Sequence, residues 1–476
     1  MADRTPERGS QMKERTEELL KILESLTGQK ALLASTSLGK AIDLLDEGKG
    51  ALGYSQVNEL LLLIGYDRIT HAFFQYLVDG STAYNSGAAL SSLEQLRQGV
   101  ERFRKLALIL FGNVKFAFKH LSRDTEQLNE WLWRLSPREE SEFSARHDPV
   151  QPIEPIQGED TYFLGYIVQR QLAERLRKDP SDEEAREANH KRVEIVKLGL
   201  RNHEAYLASD HLDVYVATSM RERHEYLSVH EITQGIFGHH RLKPLKLRWF
   251  DPTQAYCLDR IDKGLSEALM LKRAKCTVYF VQETDTLGKD SELASTLAQG
   301  KPVIAFVPKP EADYVSSLIA KISTLYPEKS SQTILLEQLR IFEPDAAWQD
   351  HVVRGWLENS SGLDIQKATD RLASSISKHY DRRAKTLLDE HPLGIQVNLD
   401  TGVANGVLVV RTVDDCAELI HRVVTKTLQF TLETKKVDNH EYVLLKEVVS
   451  GCIYRVMTGD AMLTNAFWNF YLEPSE

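Results

Sequence analysis

The sequence predicts a multidomain protein with a helical N-terminal region, a central α/β unit built on a doubly wound, mostly parallel sheet, and a C-terminal α+β region. Length supports the first part of this, because 476 residues exceed one ordinary core and roughly 150 residues per domain gives about three structural units. Apolar spacing supports the rest. It is helical as far as residue 135 and then, between 209 and 340, alternates short β-type runs with helices. A composition of 42% hydrophobic and 27% charged residues belongs to a folded chain and excludes bulk disorder or collagen-like character.

Charge and cysteine use narrow the setting. The formal charge of -10 argues against a general nucleic-acid coat or a binder of anionic membranes. Cys257, Cys276, Cys416 and Cys452 are scattered and form no CxxC pair, which suits a reducing compartment. The opening MADRTPERGS lacks the apolar core of a secretory signal. The apolar runs 60–64 and 106–111 are far shorter than the ~18 residues a membrane span needs. The expectation is a soluble, cytoplasmic chain with neither membrane nor nucleic acid as partner.

Taken in order, residues 1–135 read as a helical domain. Leu19, Leu20, Ile22, Leu23 and Leu26 repeat at helical spacing ahead of Gly28, a C-terminal stop, and further helices are expected over 58–64, 93–110 and 125–135. Trp131 and Trp133 are expected to pack within this region. Pro137, Pro149, Pro152 and Pro155 mark 136–160 as a linker, and 161–208 reads as a helical connector with a charged, solvated face. The 209–340 unit then runs DVYVAT (213–218), helix 222–236, a short strand 247–250, helix 261–273, CTVYFV (276–281), helix 290–299, PVIAFV (302–307) and a helix from about 312. Such alternation implies right-handed crossovers and a flavodoxin-like sheet covered on both faces. Residues 341–390 read as helical. In the α+β region 391–476, strand-like runs 395–399 and 407–411 flank Asn405-Gly406, a hairpin-turn signal, before a helix over 413–430 and an aromatic tail expected to pack on its own domain.

In an open parallel sheet ligands bind beyond the carboxyl ends of the strands, which directs attention to three loops: TSMR, QETDTLGKDSE and VPKP. None contains GxGxxG, and no GxxxxGK[ST] occurs, so a dinucleotide fingerprint and a P-loop are both absent. The second loop gathers Glu283, Asp285, Asp290 and Glu292. If Asp290 or Ser291 caps the following helix, Glu292 falls in its first turn, where the helix dipole keeps a carboxylate ionised. A rigid anionic carboxylate suits attack on, or stabilisation of, an oxocarbenium-like anomeric carbon. Asp285 could then contact a ribose hydroxyl or help protonate the departing base. The plainer account is that acids favour helix starts. In the first loop, Thr218, Ser219 and Arg221 are candidate substrate contacts; Ser219 and Arg221 suit a phosphate, although Arg221 equally suits a surface ion pair. Tyr215 reads as a packing residue. His230-Glu231 begins an HExxH pattern that fails at Gln234, so neither a metal site nor a cofactor is expected.

The segments VYVATSMR and KDSELASTLAQGKPVIAFVP resemble the nucleoside 2-deoxyribosyltransferase-like fold and the related TIR-like N-glycosidases, in which a Glu opens a helix ending in a Gly-Lys-Pro turn. The matching pieces are Glu292, Ala294, Ala298 and Gly300-Lys301-Pro302-Val303, and the resemblance covers about 211–310. It implies cleavage of the N-glycosidic bond of a nucleoside, nucleotide or NAD, with Glu292 as the catalytic carboxylate. The chain departs from the family's Gly-containing first loop, having Thr218-Ser219-Met220-Arg221 instead. The multi-part layout is similar to bacterial effectors that deplete NAD or nucleotides, which implies regulated defence by a homo-oligomer. A non-catalytic nucleotide sensor using the same pocket is the alternative.

Overall fold

The computed structural model describes residues 5–30, 51–80, 91–111, 113–146, 149–219, 221–283, 286–299, 301–359, 362–390, 407–437 and 440–454. Asp285, the turn at Asn405-Gly406 and the tail beyond 454 lie outside the described residues.

The N-terminal helices α1 (Thr5–Thr27), α2 (Tyr54–Leu63), α3 (His71–Asp79), α4 (Leu93–Phe111), α5 (Val114–Leu121) and α6 (Thr125–Leu135) enclose a hydrophobic cluster of their own. Leu23, Leu61, Phe73, Leu96 and Phe103 are fully buried in it, with the Phe73 and Phe103 rings edge to face at 5.0 Å. Gly99 lets α4 lie directly on α3, since a Cβ there would sit 1.7 Å from the Leu77 carbonyl oxygen. Trp131 packs against this cluster as expected.

A larger cluster surrounds a five-stranded parallel sheet among the described residues: β1 (Val214–Ala217), β2 (Trp249–Phe250), β3 (Cys276–Phe280), β4 (Val303–Phe306) and β5 (Val407–Val410), in the order β2-β1-β3-β4-β5. Four of these strands are buried along their whole length, which is why they read as continuous β-branched and aromatic runs. The register sets Tyr215 beside Thr277 and Ala217 beside Tyr279. The fifth strand adds to the expected sheet. Val407–Val410 pairs in parallel with Val303–Phe306 and is the last strand of the sheet among the described residues, while the other arm of the expected hairpin, 395–399, lies outside them. All four of its apolar residues are buried there.

Helices α7 (Tyr166–Lys178) and α8 (Glu183–Ala208) precede β1, α9 (Arg223–Phe237) follows it, α10 (Arg260–Arg273) links β2 to β3, and α11 (Leu287–Ala298) links β3 to β4. The chain moves outward from β1 in one direction and from β3 in the other, so right-handed crossovers place α9 on one face and α10 with α11 on the other. A helix stack including α12 (Tyr314–Leu325), α13 (Ser331–Phe342) and α14 (Ile365–Lys385) precedes β5, and α15 (Val413–Val424) packs beside α9. An antiparallel meander, β6 (Phe430–Val437), β7 (His440–Glu447) and β8 (Ile453–Tyr454), adds Leu445 and Cys452 to the main core.

The proline-rich stretch expected as a linker is packed onto the sheet unit. Phe143 is buried, Gln254 hydrogen-bonds both backbone groups of Ile156, and Asn202 holds Glu154. Arg146 meets Asp213, at the amino end of β1, through two bonds of 2.6 and 3.0 Å. Lys275 lies 3.3 Å from the same carboxylate and the Arg248 N–H donates to it at 2.9 Å. Burial alone would raise the Asp213 pKa; these cations and N–H groups outweigh it and hold the carboxyl below its usual range.

Candidate functional site

The strand order reverses between β1 and β3, and their loops diverge there, which is where open α/β sheets take ligands. One side chain bridges these loops. Gln282 Oε1 accepts hydrogen bonds from the Ser219 N–H at 2.6 Å and the Thr218 hydroxyl at 2.8 Å, while its Nε2 donates to the Ser219 carbonyl at 3.0 Å. The predicted contacts Thr218 and Ser219 are thus buried and tied to Gln282. Arg221 is exposed, and its N–H, with that of Glu222, donates to Glu225, which caps α9.

Beside this bridge the first turn of α9 places His224 against Glu283, with Nε2 3.2 Å from both carboxylate oxygens. Burial opposes a charge on His224, yet the hydrogen bond and negative charge of Glu283, with Glu225 behind it, leave its pKa raised. Glu225 is raised chiefly by burial and further by Glu283, against the two backbone N–H groups it accepts from.

The second group of ionisable residues lies between α11 and the sheet face. The Tyr215 hydroxyl donates to Glu292 Oε1 at 2.7 Å, the Tyr279 hydroxyl donates to Asp290 Oδ1 at 2.7 Å, and Thr277 meets Thr296 at 2.7 Å. Alternation along β1 and β3 puts these strand residues on one face, so the sheet register fixes the helix above it. Two expectations are corrected here. Helix α11 begins at Leu287 with Thr286 as its cap, because the Thr286 hydroxyl reaches the Lys289 N–H; Glu292 therefore lies beyond the first turn. Glu292 also does not stay fully ionised at neutral pH. Part of its surface remains open, but burial of the carboxyl, then the like charge of Glu267 on α10, push its pKa up to about 8. The Tyr215 hydrogen bond, Lys263 and Lys289 oppose this shift without cancelling it. Glu267 is itself raised, by burial, against Lys263 at 3.6 Å.

Of the other predicted residues, Asp290 is exposed and held over the same sheet face by Tyr279, and the Ser291 hydroxyl turns back to the Leu287 carbonyl at 2.7 Å. Cys257, beside His203 with Sγ to Nδ1 at 3.0 Å, resembles a nucleophile and its base. Burial raises the thiol and lowers the imidazole, so both are neutral, the opposite of an activated thiolate pair. Among the described residues no group of three or more His, Cys, Asp or Glu side chains is placed to hold a metal ion, and no helix is long and apolar enough to cross a membrane.

Sequence reasoning missed Tyr215, Glu267, Gln282 and the His224–Glu283 pair. Tyr215 and Glu292 are 77 positions apart and His224 and Glu283 59 apart, so no local spacing reports either contact. The tyrosine within an otherwise aliphatic β1 is the one available signal, since a buried hydroxyl needs a partner. No family model, curated protein or solved structure matches the chain.

Proposed function

We propose that the central α/β unit, read as a flavodoxin-like domain of the deoxyribosyltransferase-like and TIR-like kind, cleaves the N-glycosidic bond of a nucleoside, nucleotide or NAD, with Glu292 as the catalytic acid. One observation carries this reading: the buried carboxyl of a half-buried side chain, hydrogen-bonded by Tyr215, whose pKa of about 8 leaves it protonated at neutral pH. A carboxyl tuned in this way is what general-acid catalysis near pH 7 requires.

In the proposed step on a nucleoside or nucleotide the C1′–N bond breaks with its electron pair going to the base, which takes the Glu292 proton; nicotinamide leaves NAD as a neutral molecule on taking the electron pair and needs no proton, so there Glu292 acts only as the neighbouring carboxyl. The carboxylate left behind, and the neighbouring Glu267, face the positive charge that develops on the sugar. Water, or an acceptor in a transferase, adds to C1′ and its proton restores Glu292. The Tyr215 hydroxyl steadies the ionised form during the cycle. The reading carries with it a cytoplasmic, self-associating protein, and the four cysteines present as buried thiols are in keeping with that setting.

Liberated base, separated by chromatography after incubation with nucleosides, nucleotides and NAD, tests the proposal. The wild type is expected to release base and Glu292→Gln to lose at least about 100-fold of the rate, in the range general-acid catalysis supplies. A wild type that binds these compounds and releases no base would make this a sensor and not an enzyme.

A further inference from the structure

A cavity of about 170 Å³ lies over the β2 end of the sheet. Its walls are the loop after β2 (Pro252, Tyr256, Cys257), the first turn of α10 (Arg260, Lys263), Tyr226 of α9 and the strap at Gly165-Tyr166. The volume is below the roughly 300 Å³ of a complete small-molecule site, so it accommodates one end of a ligand. The charged groups of its lining are both cations. Arg260 and Lys263 stand over the Tyr166 ring, at 5.4 and 5.8 Å from its centre, and among the described residues Arg260 has no carboxylate partner within ion-pair distance. Gly165 keeps the strap close, because a Cβ there would meet the Tyr226 hydroxyl at 2.7 Å. Lys263 also connects this cavity to the carboxyls described above, since it pairs with Glu267, whose charge acts on Glu292.

We infer that this cavity receives the phosphate of a nucleotide, with Arg260 and Lys263 as its cationic contacts, so that the substrates are nucleoside phosphates in preference to bare nucleosides. The inference rests on the cleavage reading for what happens next to the ligand, but the phosphate contact stands on the cavity itself. A guanidinium held beside an aromatic ring with no partnering acid among the described residues, next to the Lys263 ammonium that Glu267 only partly occupies at 3.6 Å, suits a compact anion. This moves the phosphate away from Ser219 and Arg221, where the sequence had suggested it. The Ser219 backbone is engaged by Gln282 and the Arg221 side chain faces solvent.

The test is thermal stabilisation of the full chain by the common nucleoside 5′-monophosphates and by the corresponding nucleosides, with inorganic phosphate as a bare-anion probe. At least one monophosphate is expected to bind tenfold or more tighter than its nucleoside. Arg260→Gln, a change at an exposed position, should remove that advantage and leave nucleoside binding unaltered. Equal binding of the two ligand classes, or a monophosphate affinity indifferent to Arg260→Gln, would overturn the subsite. Base release is measured separately on the same samples. Monophosphate binding that depends on Arg260, without release of base, would overturn the cleavage reading and uphold the subsite. Release from nucleosides and monophosphates with equal kcat/KM, insensitive to Arg260→Gln, would do the reverse.

Discussion

The sheet carries buried carboxyls at its amino end and on the face under α10 and α11, and the two places treat them in opposite ways. Asp213, fully buried at the start of β1, is surrounded by Arg146, Lys275 and the Arg248 N–H, and stays an anion below the usual carboxylate range. Glu292 is pushed up by burial and by the charge of Glu267, and Glu267 by burial, with Lys263 opposing both shifts without cancelling them. Desolvation acts in the same direction on all three; what differs is whether enough opposite charge is supplied. A carboxylate fully matched by cations fixes structure, because it joins the 136–160 strap to the sheet. A carboxyl left short of partners keeps a proton it can give away.

Breaking either side of this contrast should have a measurable effect. The largest expected change is in chemistry: Glu292→Gln should lower base release by about 100-fold or more with the fold intact, measured by chromatography beside circular dichroism. Next is stability at the amino end. Asp213→Ala leaves Arg146 and Lys275 without their shared anion and should cost about 3–5 kcal/mol in urea unfolding, the scale for breaking a buried ion pair.

A smaller effect separates the two carboxyls by pH. Glu292 has a raised folded pKa, so its contribution to stability is complete below the unfolded value near 4.5 and is lost as pH rises toward about 8. Asp213 is depressed, so its contribution is present above its unfolded value and is lost as pH falls through its folded one. Wild-type stability should therefore fall between pH 5 and 8, by on the order of 2 kcal/mol attributable to Glu292, and Glu292→Gln should flatten that slope. Equal slopes for both proteins would contradict the assignment. The smallest change is expected from Tyr215→Phe. Losing the hydroxyl that favours the anion should raise the Glu292 pKa further and slow turnover about tenfold, on the scale of one hydrogen bond to a charged group.

How much of this the sequence disclosed follows from the range of the interactions. Strands 213–218, 276–281 and 302–307 and the helices 222–236 and 261–273 were legible because burial on two faces and helical periodicity are local patterns. The start of α11 was misplaced by three residues because Thr286, and not Asp290, provides the capping oxygen. Glu292 was singled out through the resemblance, but its contacts were not readable, since Glu267 and Tyr215 reach it only through tertiary packing. The parallel pairing of β5 with β4 was likewise hidden, because an apolar run of four residues does not say which strand it joins until the sheet is assembled.

The pH profile of base release tests the central claim most directly. If Glu292 acts as a proton donor with a pKa near 8, the rate at saturating substrate should hold between about pH 6 and 7 and then decline through pH 8 to 9, and Glu292→Gln should show no such decline in its residual rate. A wild-type rate that instead rises with pH from about 4.5 and stays level through 9 would mean that Glu292 works as an ordinary carboxylate, and would contradict the account.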